Sequence, residues 1–249
     1  MSISAHKIIE VDCSMRDLDE SLVLDHLKNL IEIDEAKALV GFMVGECIAC
    51  LKPRGVYKLF NPAICTLPPA YTEPGIKLVG TLVVLKGRCV YNRLRKATHC
   101  VMMAATAGTP ESIESLRNRL VVTEQDAFAF EACLTTLAQR AADMTNAAIV
   151  QEAMQLELYT DDFLSPGMED FPIQQNDQIH FYTQAEKRLG IFLGCDSASL
   201  SPWNILGIVG MYDRSQKGRR RACGRCKFRE FCSIRSIGMN CHGKKGKFS

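Results

Sequence analysis

The feature that most constrains this chain is the segment from Thr123 to about Met154, which reads as one unbroken helix. Thr123-Glu-Gln-Asp126 has the form of a capping box with Asp in place of the usual Glu. Behind it Phe130, Leu134, Leu137, Ala141, Met144 and Ala148 recur at helical spacing, and Ala132, Ala142 and Ala147 line the other faces. A helix that is apolar or small nearly all round is packed on more than one side. The pattern therefore predicts a core helix around which the other elements assemble.

On the N-terminal side, a short strand is expected over Lys7–Val11, then helices over Asp17–Ile31 and Asp34–Leu51, the second stopped by Pro53. Gly55–Phe60, Ile76–Leu85 and Cys100–Ala105 read as strands, with a long loop at Pro62–Pro74. Beyond the core helix, Leu156–Tyr159 is strand-like, Ser165-Pro-Gly-Met168 is a loop, and Asn176–Leu189 a helix. Gly190–Gly194 and Ile205–Met211 are further apolar segments. The period changes between helix and strand without regular βαβ alternation, which points to an α+β fold: a twisted, mainly antiparallel sheet with long helices. No phosphate loop, dinucleotide glycine fingerprint, HExxH or nucleophile elbow is present.

The 249 residues, 47% hydrophobic and 23% charged, suffice for one good core plus a small appendage. No run approaches the roughly 20 apolar residues of a membrane span. Met1–Asp12 lacks the pattern of a secretory leader, so a cytoplasmic location is expected and disulfides are not. Eight of the 12 cysteines are scattered (Cys13, Cys47, Cys50, Cys65, Cys89, Cys100, Cys133 and Cys195) and read as small buried thiols. The net charge of +2 conceals an asymmetry. Residues 214–249 carry 12 Lys and Arg against one acid, Glu230, while the rest of the chain has 18 bases against 27 acids. Two parts are expected, a body over 1–213 and a basic tail over 214–249.

Several ordered segments of the body resemble the activation (reactivation) domain of cobalamin-dependent methionine synthase. Leu51-Lys-Pro-Arg-Gly-Val-Tyr57 is similar to that family's Pro-Arg-x-x-Tyr segment, and His99–Thr109, with Ala104-Ala-Thr-Ala-Gly108, to its strand and turn. Leu137–Asp143 resembles part of its long helix, Ser165–Pro172 its substrate loop, and Ser197–Gly210 its late strand segment. The resemblance implies a free-standing module that binds S-adenosylmethionine and caps a cobalamin carried by a corrinoid-binding partner. There it would assist reductive remethylation of cobalt: methyl transfer draws off the product of an unfavourable reduction, and a cap excludes water.

It also implies a binding set of Asp143, Ser165, Pro166, Gly167 and Met168. Asp143 stands where the family has a Glu one methylene longer, and two loop positions depart further from the family pattern. Phe163 stands where the family has an Arg that grips the methionine carboxylate, and Met168 stands where it has Tyr. The alternative is a module that has kept the fold, lost the methyl donor, and handles another corrinoid or a small ligand.

The tail carries Cys223-x2-Cys226-x5-Cys232-x8-Cys241. Four thiolates suit either an iron–sulfur cluster or zinc, and the first three cysteines are spaced similarly to those holding auxiliary four-iron clusters. A cluster would suit electron relay to the corrinoid, and implies an electron donor as a further partner. The basic residues also admit a metal-stabilised nucleic-acid binder. The tail's only aromatics are Phe228, Phe231 and Phe248, however, and no recognition-helix pattern stands out, so nucleic acid is not the expected partner.

Overall fold

A computed structural model of the chain describes residues 7–27, 33–65, 75–194 and 199–213. The basic tail, with Cys223, Cys226, Cys232 and Cys241, lies outside them, as do Cys195 and residues 66–74 of the expected Pro62–Pro74 loop.

The core helix forms as expected. It is α5 (Glu124–Gln155), 32 residues and about 48 Å long. Its capping box is complete: Thr123 Oγ1 accepts from the Asp126 amide at 3.2 Å, and Asp126 Oδ2 accepts from the Thr123 amide at 2.8 Å. The two halves of α5 have different neighbours. Phe130, Cys133, Leu134 and Leu137 pack in one cluster with Val23 and Leu27 of α1 (Glu20–Leu27), Val40, Met43 and Cys47 of α2 (Ile33–Cys50), and Ile113 and Leu116 of α4 (Pro110–Leu120). Ala141, Ala142, Ile149 and Ala153 instead lie on a sheet.

That sheet has five strands, all paired antiparallel, in the order β1-β2-β6-β8-β7. These are β1 (Ile8–Asp12), β2 (Arg54–Phe60), β6 (His99–Thr106), β8 (Asn204–Tyr212) and the short β7 (Tyr159–Thr160). Strand alternation sorts the side chains by face. Tyr57, Leu59, Val101, Met103, Val209 and Met211 meet α5. Val56, Phe60, Cys100, Met102, Leu206 and Ile208 meet the opposite cluster, built from α3 (Arg88–Leu94), α6 (Asn176–Thr183), α7 (Ala185–Leu189) and a second small sheet. The small sheet is β3 (Pro62–Cys65), β4 (Gly75–Leu78) and β5 (Val84–Leu85), also antiparallel. The whole is α+β.

Details differ from expectation for local reasons. Ile76–Leu85 is two strands rather than one, because a turn carrying Gly80 at φ +82° divides it. Asn176–Leu189 is two helices, because Gln184 sits at φ +55° between them. Pro62–Cys65 is a strand rather than loop, and Leu156 caps α5 rather than starting a strand. Gly190–Gly194 runs outside any helix or strand, and helices α3 and α4 were not anticipated, although α4 carries Ile113, Leu116 and Leu120 at helical spacing behind the Thr109 cap. Of the scattered cysteines, Cys13, Cys47, Cys100 and Cys133 are buried as expected, whereas Cys65 and Cys89 are half-buried and Cys50 is exposed. Among the described residues no helix is long and apolar enough to cross a membrane.

Helix α5 crosses β2 at Gly55. A Cβ there would lie 1.8 Å from Thr145 Oγ1, so only glycine allows the approach. The Cys13 thiol fills the adjoining space, donating to the Ala141 carbonyl at 3.4 Å. Overpacking so close a contact costs typically 1–3 kcal/mol. Gly55→Ala is therefore expected to lower stability by about 2 kcal/mol or more, read as a lower urea midpoint with unchanged slope.

Candidate functional site

The loop from Asp161 to Pro172 leaves the sheet edge beside β8 and is fixed at both ends. At its start the Asp161 amide donates to the Gly210 carbonyl at 3.1 Å, and Leu164 and Ile208 exchange two backbone hydrogen bonds of 2.9 Å each. The Asp161 carboxylate is buried. It accepts from the Gly210 amide at 2.8 Å, the Tyr212 hydroxyl at 2.8 Å and Arg93 Nη1 at 3.3 Å. Burial pushes its carboxyl above the usual range, partly offset by Arg93 and these donors. Arg93 Nη1 also donates to the Asp162 carbonyl at 2.8 Å. Tyr212 can fold back across its own strand because residue 210 is Gly: a Cβ there would stand 2.3 Å from the Tyr212 hydroxyl oxygen.

At the far end Asp170 caps α3. Its two carboxylate oxygens accept from the Arg88 amide at 2.7 Å and the Cys89 amide at 2.9 Å. Burial alone would raise its pKa, but hydrogen bonds from the Cys89 thiol and amide and the Arg88 amide outweigh it and hold the carboxyl below its usual range. The reciprocal effect falls on Cys89, where burial and then Asp170 push the thiol up to about 12.

Between these anchors Ser165, Pro166, Gly167 and Met168 form one tight turn. The Met168 amide donates to the Ser165 carbonyl at 3.1 Å, and the Gly167 amide to the Phe171 carbonyl at 2.8 Å. Gly167 adopts φ +88°, a conformation that favours glycine, although the space around it is open apart from Ile173.

The structure thus brings together four of the five residues expected at the site. Asp143 belongs to a different part of it. It is exposed on α5, where Gln139 Nε2 donates to it at 3.2 Å. The loop wraps the sheet edge: Leu164, Met168 and Phe171 pack into the cluster opposite α5, while Phe163 joins the α5-side cluster with Ala141, Ala142 and Met144. Phe163 lies over Gly207, where a Cβ would come within 3.1 Å of its ring. It is Phe163, then, that shares a face of the sheet with the helical turn bearing Asp143.

The other segments singled out in the sequence fall on the central strands. Tyr57 is buried on β2, and burial together with its hydrogen bond to Glu152 of α5 pushes its hydroxyl far up. Thr106 Oγ1 closes the turn after β6 by donating to the Gly108 carbonyl at 2.8 Å. The network of Arg93, Asp161 and Tyr212 was not foreseen, since residues so distant in sequence leave no spacing signal.

No family model and no curated protein matches the chain. Among solved structures, a crystal structure of the MetH reactivation domain bound to AdoHcy aligns over 86% of this chain and 81% of that one, with a TM-score of 0.56 at 16% identity. The fold is that of the MetH reactivation domain. In this chain the Asp161–Pro172 loop follows the edge of the five-stranded sheet, anchored through Asp161 and Asp170.

The Asp170 cap gives a pH-dependent prediction. Its folded pKa lies below the unfolded one, so its stabilisation is present above the unfolded value and is lost as pH falls through the folded value. Asp170→Ala is expected to destabilise by about 1 kcal/mol at neutral pH. The gap from wild type in urea melts should begin to narrow as pH falls below about 4 and close only below the folded pKa.

Proposed function

We propose that this chain is a reactivation-type module that binds S-adenosylmethionine and presents it to a corrinoid carried by a separate protein. The observation that carries this reading is the likeness of fold to a reactivation domain whose bound ligand is AdoHcy, the product form of that methyl donor. The Ser165–Met168 turn supports it, being held at a sheet edge with Gly167 offering close backbone approach to a ligand. In this reading Ser165, Pro166, Gly167 and Met168 form the wall of the ligand site, and Asp143 accepts a hydrogen bond from the ligand's amino group.

Calorimetry tests it. Saturable heat with S-adenosylmethionine or S-adenosylhomocysteine is expected, and Asp143→Ala should weaken binding about tenfold or more, the loss of one charge-assisted hydrogen bond. No heat at near-millimolar ligand overturns the reading.

One observation favours a second reading, a module that has exchanged the methyl donor for another corrinoid or small ligand. Phe163 packs against the α5 cluster where the family resemblance places a carboxylate-gripping Arg. Binding absent from wild type but present in Phe163→Arg would select it.

For the tail we propose a metal centre held by Cys223, Cys226, Cys232 and Cys241, a donor set suited to an iron–sulfur cluster or zinc. A cluster would supply a one-electron carrier. Protein purified without oxygen should contain iron and sulfide, with a broad visible absorption lost in Cys226→Ala; stoichiometric zinc and no colour would select zinc instead. Absence of both metals overturns the proposal.

A further inference from the structure

Three cysteines of the helical layer are unused by the reading above, and their placement is independent of it. Cys47 and Cys133 are fully buried in the same cluster, one on α2 and one on α5. A hydrogen bond with the Cys47 thiol, and then burial, push the Cys133 thiol far up. Cys50 lies one helical turn beyond Cys47, is the last residue of α2, and is exposed. The Leu51 amide still donates to the Cys47 carbonyl at 2.9 Å, which keeps residues 47 and 50 on neighbouring turns. Arg119 of α4 reaches across with Nη2 3.2 Å from the Cys50 sulfur, while also pairing with Glu46.

A guanidinium there stabilises charge developing on sulfur, whether the sulfur attacks or departs. Of the other described thiols Cys65 is half-buried, and the remaining three are less suited to entry. Cys13 and Cys100 are buried, and Cys89 is bonded to Asp170 with its thiol held protonated.

We propose that Cys50, Cys47 and Cys133 form a thiol–disulfide exchange site that accepts small disulfides and stores the oxidation as a buried Cys47–Cys133 bond. The Cys50 thiolate attacks a disulfide RSSR, forming a mixed disulfide and releasing RS⁻. Cys47 then displaces the second RS⁻, its own proton leaving with it, to give Cys47–Cys50. Residues three apart on a helix have Cβ atoms about 5–6 Å apart, and a disulfide needs about 3.5–4.5 Å. The small shift required falls at the end of α2, where one residue can unwind. Finally Cys133 attacks the Cys47 sulfur and Cys50 departs, taking up the Cys133 proton beside Arg119. In total two protein thiols are oxidised, RSSR is reduced to two RSH, and α2 becomes covalently joined to α5.

The test uses the full-length reduced chain with cystamine, acid quench, alkylation and peptide mass mapping. Cys50 is expected to be the first described cysteine to carry the mixed disulfide, and the final species to link the Cys47 and Cys133 peptides with Cys50 free. Cys50→Ser should slow that linkage by about tenfold or more, and Arg119→Ala should slow the first step by about threefold. Both changes are at the surface and leave the core intact. Cys133→Ser should stop the sequence at Cys47–Cys50. Formation of the buried linkage equally fast in Cys50→Ser overturns the proposal. So does an end state in which Cys50 has exchanged while Cys47 and Cys133 stay reduced.

Discussion

The contact between the second half of α5 and the strand β2 organises this molecule. Helix and sheet can approach only if the residues between them are small, and here they are: Gly55 on the strand, and Ala141, Ala142 and Thr145 on the helix. Thr145 satisfies its hydroxyl by donating to the Ala141 carbonyl at 2.7 Å, and Cys13 from the end of β1 donates to that same carbonyl. Buried polar atoms in so tight a junction must be paired within it, because no water reaches them. The close approach sets the height of α5 above the sheet. It thereby sets where the α1, α2 and α4 layer can pack against the helix's first half.

The candidate loop depends on that arrangement indirectly. Its two anchors are carboxylates that work in different ways. Asp161 is buried, and its charge is compensated by Arg93, a backbone amide and a tyrosine hydroxyl, so it fastens the loop to β8 through a network whose loss would leave an unpaired group inside. Asp170 is near the surface and acts as a cap, joining the loop to the first turn of α3. With both ends fixed, the Ser165–Met168 turn has little freedom. Preorganisation of this kind reduces the entropy lost when a ligand is bound.

The chain's chemistry is divided among layers. The Ser165–Met168 turn lies at the sheet edge and Asp143 on the exposed side of α5, three thiols lie in the helical layer, and the basic cysteine array belongs to a tail of opposite charge to the body. Cysteines alike in sequence context proved unlike in setting. Cys47 and Cys50, both in an apolar helical stretch, face a buried partner and an exposed guanidinium respectively.

Much of the fold was legible from local pattern alone. The α5 stripe, its capping box and the apolar runs of β2, β6 and β8 are short-range signals, and each was realised within a residue or so of its expected bounds, because helical period and β-rich composition act over a few neighbouring residues. The resemblance to a reactivation domain was likewise carried by segments that became the central strands, the core helix and the Ser165–Pro172 loop. Tertiary structure alone decided the rest. It split Ile76–Leu85 and Asn176–Leu189 through single residues with positive φ, turned Phe163 toward α5 and Met168 away from it, and brought Arg93, Asp161 and Tyr212 together from three distant segments. Strand pairing and the wrapping of a loop round a sheet edge depend on contacts between residues far apart in the chain, which no local periodicity records.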